Sequence, residues 1–448
     1  MKSRPGHNQR IAIQTQETAT ERPRVRLRGL SAPRVVLGLL CLLYLVLFVV
    51  RVAISGVAPL IKTDLRLSNT ELGLVFSAFA IPYAIFQLIG GWIGDRWGAR
   101  VVLCVSCGVV AIATALTGAV NGFLALFAVR LALGFGEGAT FPTATRAMSS
   151  WIPESRWGFA QGVTHSFSRI GNALAPPLIA WMAVLLTWRG SFAILGIVSS
   201  AWVLLWGWFF RNDPREHPTI TAADLAELPG QRTRRRAAIP WVQLARRILP
   251  VTAVDFCYGW VLWLFLSWIP GFFFENYHLN LQSSAMYSAG VLSAGIVGDT
   301  VGGVLSDRLL HKTGSLVVAR RSVIIAGFLG AFIFMMPVIL LHNLGLAAVS
   351  LSLAFFFAEL IVGPIWSVPM DIAPRFAGTA SGMMNFGFAF AGIVSPSIFG
   401  YLVDHTGSWT VPFATSLLLL ILGAFLASRL RPDIPFEGPF EMKVSANS

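Results

Sequence analysis

The chain of 448 residues has little charge: Asp, Glu, Lys and Arg make up 12% of it, whereas 55% of the residues are hydrophobic. So little charge cannot cover the surface of a soluble globule of this size. Cysteine is also scarce. The four cysteines all lie in apolar stretches, which excludes a disulfide framework and a zinc site. We therefore expect a membrane protein that needs no metal or other cofactor.

Long apolar runs are abundant instead. Twelve runs of about 18 to 25 residues recur along the chain, each long enough to cross a hydrocarbon core of about 30 Å. Such runs form helices, because in lipid every backbone polar group needs a partner in its own segment. The sequence thus predicts an all-α integral membrane protein with twelve transmembrane helices, near residues 35–57, 69–93, 101–120, 122–145, 158–185, 189–210, 248–274, 284–306, 319–341, 345–370, 376–403 and 409–428.

One internal polar stretch, with a basic cluster over residues 232–236, divides six spans from six. Thr221 and Asp224 within it resemble the start of a helix, so it holds either a short amphipathic helix on the membrane surface or a solvated linker. The predicted units are a basic N-terminal tail (1–34), an N-terminal six-helix bundle (35–210), a cytoplasmic linker (211–247), a C-terminal six-helix bundle (248–428) and a C-terminal tail (429–448).

Basic residues are distributed unevenly between the two sides of the predicted bundle. Of the 34 Lys and Arg residues, 28 fall in the tails and in the loops on their side, three lie within spans, and the opposite loops hold Lys62, Arg66 and Arg189. By the positive-inside rule, both termini are cytoplasmic and the protein lies in the cell (inner) membrane. The net charge of +13 then reflects topology and attraction to membrane lipids, and we expect no nucleic-acid partner.

The two halves of the chain repeat each other. Residues 90–96 (Gly-Gly-Trp-Ile-Gly-Asp-Arg) match residues 302–308 (Gly-Gly-Val-Leu-Ser-Asp-Arg), 212 positions later. Ala175-Pro176 in the fifth span likewise matches Ser395-Pro396 in the eleventh. Two parallel six-helix repeats are typical of a transporter whose halves rock around a central site.

The complete first motif, residues 90–100, resembles the loop signature of the major facilitator superfamily. Its glycines allow close helix approach, and its charges can hold a cytoplasmic gate shut through ion pairs and helix-end dipoles. The alternative is a basic turn that only sets the topology. The predicted gate residues are Asp95, Arg96, Arg100, Asp307, Arg308 and Asp371.

Ionisable residues within spans are costly, so each is a functional hypothesis. Arg51 falls in the extracellular half of the first span, where its planar fork of donors suits a carboxylate, unless the side chain only snorkels to the interface. Arg130 and Glu137 lie seven residues apart on one face of the fourth span. We predict that Glu137 exchanges a coupling proton and that Arg130 tunes it. The alternative is a static buried ion pair.

Other polar residues are predicted to complete a substrate site. Arg169 in the fifth span adds a second anion contact, whereas His165 is as well explained as a core residue with satisfied hydrogen bonds. The charged residues in the second-half spans are Asp255, Asp299 and Glu359, so we expect anion recognition and coupling chiefly in the first half. The remaining predicted lining residues are Tyr83, Gln87, Ser168, Tyr258, Trp366, Ser367 and Asn385.

Arg51, Glu137 and the Asp371-Ile-Ala-Pro segment also make the chain resemble the anion:cation symporter family over about residues 35 to 430. That family includes bacterial sugar-acid transporters, the vesicular glutamate transporters and sialin. The resemblance implies that Arg51 binds the substrate carboxylate and that Glu137 couples transport to protons. Two positions depart from the pattern. Val50 stands where many sugar-acid members have Asp, and Ser168 where galactonate-like members often have Gln, so another carboxylate remains open as the substrate.

The sequence therefore predicts a secondary active transporter, not an enzyme, that moves a small organic anion by proton symport with alternating access and works as a monomer. A sugar-phosphate or other anion exchanger is the alternative, although such proteins favour paired arginines from the two halves and the seventh span offers Tyr258. A transporter-derived sensor would need a longer signalling tail than residues 429–448.

Overall fold

The computed structural model describes residues 31–153, 156–228 and 239–436, a range that excludes the basic cluster at residues 232–236 and the side chain of Asp95. Within this range the regular structure is helical. Its fourteen α-helices are α1 (Ala32–Gly56), α2 (Ala58–Leu65), α3 (Asn69–Trp97), α4 (Ala99–Thr117), α5 (Phe123–Trp151), α6 (Trp157–Phe209), α7 (Ala222–Glu227), α8 (Trp241–Asn276), α9 (Leu281–Thr313), α10 (Leu316–Leu340), α11 (Leu344–Glu359), α12 (Val362–Ile372), α13 (Ala377–Thr406) and α14 (Thr410–Ala427).

Eleven stretches of the described chain are long and apolar enough to cross a membrane, and one of them crosses twice. Helix α6 contains 53 residues, or about 80 Å at 1.5 Å per residue, which is far more than a bilayer core requires. Thr187 in its middle has φ 69° and ψ 162°, so the helix breaks there. The predicted fifth and sixth spans end and begin on either side of this break. Helices α11 and α12 together form the tenth span, and the prediction of twelve spans is confirmed.

Helix α7 is short and lies between the two sets of six spans. The Thr221 hydroxyl accepts a hydrogen bond from the Asp224 backbone N–H at 3.1 Å, and the Asp224 carboxylate accepts one from the Thr221 N–H at 3.2 Å. This reciprocal capping box satisfies two donors that the first turn of a helix leaves free. The predicted helix start at Thr221 is confirmed.

The repeated glycine motif makes the same helix contact in both halves. A Cβ atom on Gly90 of α3 would lie 2.6 Å from Cα of Ala139 in α5. A Cβ atom on Gly302 of α9 would lie 2.1 Å from the carbonyl oxygen of Leu360, at the junction of α11 and α12. Only glycine lets the two backbones come this close. The six-helix pseudo-repeat expected from the sequence therefore exists in the packing.

The two halves meet mainly where α3 packs against α13 and α6 packs against α9. We call the end of the bundle where α1 ends and α3 begins the far side, and the opposite end the tail side. On the far side a Cβ atom on Gly73 would lie 2.4 Å from the Pro396 carbonyl oxygen, and one on Gly400 would lie 2.1 Å from that of Asn69. Helices α3 and α13 thus touch backbone to backbone at this end.

Polar contacts between the halves reinforce the closure of the far side. Asp404 of α13 accepts hydrogen bonds from the backbone N–H groups of Asn69 and Thr70, at 3.2 and 2.6 Å. Lys62 of α2 forms an ion pair with Glu275 of α8 at 2.8 Å. Because these residues belong to different halves, the far side cannot open without breaking them.

Candidate functional site

Arg51 and Glu137 form a buried ion pair between α1 and α5. Arg51 Nε and Nη2 both donate to Glu137 Oε2, at 2.9 and 2.8 Å. Arg51 is 5% exposed and Glu137 is 0% exposed. A charge pair removed from water to this degree depends on its own geometry and on its neighbours, because solvent screens it little.

Four aromatic rings surround the Arg51 guanidinium. Its central carbon lies 4.4 to 5.6 Å from the ring centroids of Phe48, Phe79, Tyr83 and Phe141. Ring faces carry negative partial charge and stabilise a cation within about 6 Å. The same rings exclude water from the pair. Sequence reasoning did not single out the three phenylalanines, since isolated aromatic residues are ordinary packing residues in a membrane helix.

The glycines flanking Glu137 explain how the rings reach Arg51. A Cβ atom on Gly134 would lie 2.0 Å from the Phe79 carbonyl oxygen, and one on Gly138 would lie 2.9 Å from that of Tyr83. Helix α5 therefore packs directly against the backbone of α3. This contact places Phe79 and Tyr83 of α3 beside the carboxylate of Glu137 and its partner Arg51.

Arg130 lies two turns before Glu137 on α5 and is 3% exposed, but Glu137 is hydrogen-bonded to Arg51 instead. The Arg130 guanidinium carbon sits 5.1 Å from the Phe79 centroid, and Arg51 lies at the same distance. Among the described residues, Arg130 Nε has no hydrogen-bond partner. With all three groups ionised, the cluster has one excess positive charge, which suits an anion. A tuning role for Arg130 stays a prediction.

A chain of hydrogen bonds leads from this cluster to the second half. Gln87 Nε2 donates to the Tyr83 hydroxyl at 2.7 Å, and Asn385 Nδ2 of α13 donates to Gln87 Oε1 at 2.6 Å. The structure thus brings together three of the predicted lining residues. Their amide and hydroxyl groups lie next to the ring of Tyr83 that faces Arg51.

Arg169 of α6 is already occupied by two carboxylates of the second half. Its Nε donates to Asp299 Oδ2 of α9 at 3.2 Å, and its Nη1 donates to Glu359 Oε1 of α11 at 3.2 Å. Nη2 lies 2.9 Å from Glu359 Oε2, close enough for an ion pair but outside hydrogen-bond geometry. The Tyr258 hydroxyl of α8 donates to Glu359 Oε1 at 3.4 Å. In this conformation Arg169 ties the halves together, and the substrate contact expected of it stays a prediction.

The other predicted lining residues lie apart from the Arg51 cluster in the described contacts. His165 is exposed, although its ring centroid is 5.7 Å from that of buried Tyr44. Ser168 donates to the His165 carbonyl at 2.6 Å, and Ser367 donates to the Gly363 carbonyl at 3.0 Å. Both hydroxyls are therefore satisfied within their own helices. The side chain of Trp366 is 37% exposed.

Two predicted gate residues of the second half, Asp307 and Asp371, meet on an arginine at the start of α10 that the sequence analysis did not single out. Arg320 of α10 is 7% exposed. Its Nε donates to Asp371 at 2.9 Å, and its Nη1 donates to Ser306 at 2.7 Å and to Asp307 at 3.3 Å. Arg320 thus joins α9, α10 and α12 at the tail side. Arg308, in contrast, is exposed.

The gate residues of the first half are tied within that half where the structure describes them. Arg100 donates to the Gly207 carbonyl through Nε at 3.0 Å and also through Nη2, which fixes the start of α4 to the end of α6. Arg96 is exposed, and the side chain of Asp95 lies outside the described residues. A gate formed between the two halves by these charges stays a prediction.

The model of the Major Facilitator Superfamily matches residues 40–396. The chain belongs to this superfamily. It is 45% identical over 410 residues to the probable sulfoacetate transporter of Cupriavidus necator, with 91% of this chain and 95% of that protein covered. It is 29% identical to the hexuronate transporter of Bacillus subtilis, with 86% and 91% covered.

Among solved structures, the fold resembles a bacterial homologue of the human lysosomal transporter Spinster, in an inward-facing and unoccupied conformation. The TM-score is 0.74 at 18% sequence identity, with 89% of this chain and 97% of that chain covered. At this identity the likeness concerns the fold alone. The family resemblance read from the sequence is confirmed. The protein is a multi-pass membrane transporter, not an enzyme.

Proposed function

We propose that this superfamily member moves a small organic anion together with a proton across the inner membrane, with its tail side in the cytoplasm. The observation that carries the proposal is the Arg51–Glu137 pair. A carboxylate of the protein itself occupies the two donors that would hold a substrate. The Nε and Nη2 donors of Arg51 therefore suit a carboxylate-like anion, and in this structure the Glu137 carboxylate accepts from both.

Exchange of Glu137 for substrate links anion binding to proton binding. An incoming carboxylate or sulfonate takes over the Nε and Nη2 donors of Arg51, and Glu137 loses its partner. A fully buried carboxylate without a partner costs many kcal/mol, so Glu137 takes up a proton when it is displaced. Arg130 stays in place and supplies a second positive charge beside the bound anion. The halves then rock and expose the loaded site on the other side of the membrane.

The surroundings of Arg51 favour a short sulfonated or carboxylated anion such as sulfoacetate. The guanidinium carbons of Arg51 and Arg130 each lie 5.1 Å from the Phe79 centroid, so two buried positive groups adjoin the same ring, which suits a small substrate with two anionic groups. Three of the four rings around the Arg51 guanidinium are phenylalanines, which offer no hydrogen bond to a substrate hydroxyl. The 45% identical relative is a probable sulfoacetate transporter, which agrees with this chemistry.

A sugar acid is the second candidate, and one observation favours it. The Tyr83, Gln87 and Asn385 chain offers amide and hydroxyl groups beside the anion site, and such groups suit the hydroxyls of a hexuronate. An exchange cycle could use the same residues without net proton movement.

Uptake into proteoliposomes tests the proposal. Purified protein should accumulate labelled sulfoacetate above its equilibrium level when the lumen is alkaline. Glu137→Gln mimics the protonated form, so it should still equilibrate sulfoacetate but lose accumulation driven by the pH gradient. Glu227→Gln, which changes an exposed residue of α7, is the matched control and should behave as the wild type.

Each outcome of this assay decides between the candidates. Uphill accumulation by Glu137→Gln would show that Glu137 does not carry the coupling proton. Transport of glucuronate but not of sulfoacetate would favour the sugar-acid reading. Accumulation driven by a counter-anion gradient but not by the pH gradient would favour exchange.

A further inference from the structure

A second ionisable cluster crosses the interface between the halves, and the proposed function does not use it. It consists of Arg169 from the first half with Asp299, Glu359 and Tyr258 from the second. Glu359 is 0% exposed, and the side chains of Arg169 and Asp299 are 12% and 22% exposed. Ionisable groups this far inside a membrane bundle are retained at a cost, and they mark ion or proton pathways by default.

Glu359 is the counterpart of Glu137 in the second repeat. Glu137 precedes Pro142 by five residues in the fourth span, and Glu359 precedes Pro364 by five residues in the tenth. The neighbouring contacts correspond to within one residue, because Gly90 packs on Ala139, two residues after Glu137, and Gly302 packs on Leu360, one residue after Glu359. Both carboxylates are fully buried, and each is held by an arginine from another helix. The two halves therefore hold a buried carboxyl group at places that agree to within one residue.

The two clusters differ in the sign of their excess charge. The Arg51 cluster has two arginines and one glutamate, whereas in the second cluster two carboxylates share the single guanidinium of Arg169. With the guanidinium and both carboxylates ionised and Tyr258 neutral, one negative charge remains unbalanced in a setting of low dielectric constant. Two carboxylates in one buried site favour the uptake of one positive charge. The first cluster suits an anion and the second suits a cation.

A proton fits this cluster better than a metal ion. A metal cation needs several oxygen ligands at short distance, but here the guanidinium fills the space between the two carboxylates. The described residues contain no group of three or more His, Cys, Asp or Glu side chains arranged to hold a metal. Helix α9 also leaves little room, since a Cβ atom on Gly295 would lie 2.9 Å from Glu359 Cγ.

We propose that Glu359, next to Asp299, is a second proton-binding site, and that its protonation loosens the Arg169 contact that holds the two halves together. Neutral Glu359 no longer balances the guanidinium, so Asp299 alone retains Arg169. Proton binding then weakens an interaction that spans the interface, which couples occupancy of the site to movement of the halves. The use of this proton in transport rests on the proposed function, whereas its binding to Glu359 does not.

The charged and titratable groups around Glu359 come from three helices. Helix α6 contributes Arg169 and, one turn earlier, His165. Helix α9 contributes Asp299, and α8 contributes Tyr258 and, one turn earlier, Asp255. Helix α10, which packs on the same tenth span, presents the non-titratable residues Gly327, Gly330 and Phe334 to Phe357.

Infrared difference spectroscopy of the purified protein, titrated with acid in the absence of any substrate, tests proton binding directly. A buried carboxyl group that takes up a proton produces a C=O stretching band. We expect this band in the wild type and in Glu137→Gln, and its loss in Glu359→Gln. Asp371→Asn, which alters another arginine-bound carboxylate of the same half, is the matched control and should keep the band. A band of unchanged amplitude in Glu359→Gln would overturn the proposal.

A second variant keeps the test decisive if Glu359→Gln does not fold. Asp299→Asn removes the competing carboxylate and leaves Arg169 to Glu359 alone, so the acid band should become weaker. An undiminished band in Asp299→Asn would contradict shared use of the guanidinium. Sulfoacetate and glucuronate uptake by the same preparations separates the two ideas. Absence of uptake with the band present refutes the proposed function only, whereas uptake without the band refutes the second proton site.

Movement of the halves is measured with spin labels at Phe159 of α6 and His311 of α9, both exposed, in a background without the four native cysteines. Acidification should broaden or shift the distance distribution in the wild type. In Glu359→Gln, which mimics the protonated state, the distribution should be the same at both pH values. A wild-type distribution that does not respond to pH would refute the loosening of the interface.

Discussion

Gly302 determines how closely α9 approaches the tenth span, and its replacement by alanine gives a sharp test of the packing. The new Cβ atom would lie 2.1 Å from the Leu360 carbonyl oxygen and 2.9 Å from Leu360 Cα, and neither backbone atom can move without shifting the helix. Extra atoms forced into a well-packed contact typically cost about 1 to 3 kcal/mol. The gain in helix propensity from glycine to alanine, at most about 1 kcal/mol, acts in the opposite direction.

Gly303 is the matched control for this substitution. It is the next residue of the same helix, and a Cβ atom there would meet nothing within 4 Å. Gly303→Ala therefore gains the same propensity without the clash and should be neutral or slightly stabilising. We expect Gly302→Ala to be less stable than Gly303→Ala by about 1 to 3 kcal/mol, measured as the free energy of unfolding in mixed micelles titrated with a denaturing detergent.

One result of the Gly302→Ala and Gly303→Ala comparison would contradict the prediction. Equal stability of the two variants would show that α9 and the tenth span are not in backbone contact at Gly302. The equivalence of the two repeats at Gly90 and Gly302 would then be wrong, and with it the placement of Asp299 beside Glu359. A parallel measurement on Gly90→Ala, expected to be destabilising for the same reason, checks the first half.

Two further predictions concern the tail side. Arg320→Met leaves Asp371 without its partner and should lower the free energy of unfolding by about 3 kcal/mol. The double variant Arg320→Met with Asp371→Leu should recover most of that loss. An equal loss in the single and the double variant would disprove the pairing. Burial lowers the pKa of His217, and nearby Arg211 adds to this effect. Its contribution to stability is therefore present above the unfolded pKa of about 6.5 and is lost as the pH falls through the lower folded value. The hydrogen-exchange protection factors of amides in residues 217–227, corrected for the intrinsic pH dependence of exchange, should fall on acidification in the wild type and not in His217→Phe.

The sequence was sufficient to predict the spans, because a bilayer imposes a length and an apolar composition that each helix must satisfy alone. It also identified Arg51 and Glu137 as separate groups. Their pairing was not predictable, since 86 residues separate them and the contact depends on how α5 packs against α1 and α3. The sequence offered Arg130 as the nearer partner on the same helix face, but the glycines beside Glu137 direct the carboxylate elsewhere.

The second cluster was missed for a related reason. Arg169 and Glu359 lie 190 residues apart in different halves, and neither half alone shows that they meet. A signal did exist in the recurrence of Glu followed five residues later by Pro, at Glu137 and again at Glu359. Arg320 was not singled out because it falls at the edge of the predicted span 319–341, and only its burial and its contacts with Asp371 and Ser306 reveal its role.

Asp404 stabilises the conformation in which the far side is closed. Ser68 and Glu71 satisfy each other's backbone donors at the start of α3, which leaves the amides of Asn69 and Thr70 to a carboxylate of the opposite half. Separation at the far side exposes both amides, and each hydrogen bond to a charged group contributes about 1.5 to 3 kcal/mol, net of the bonds that water offers instead. A cost of about 1.4 kcal/mol makes the state that is open at the far side tenfold less populated. The apparent dissociation constant of a substrate that binds only this state then rises tenfold. A helix cap supplied by the other half therefore shifts the conformational equilibrium toward the state that is closed at the far side.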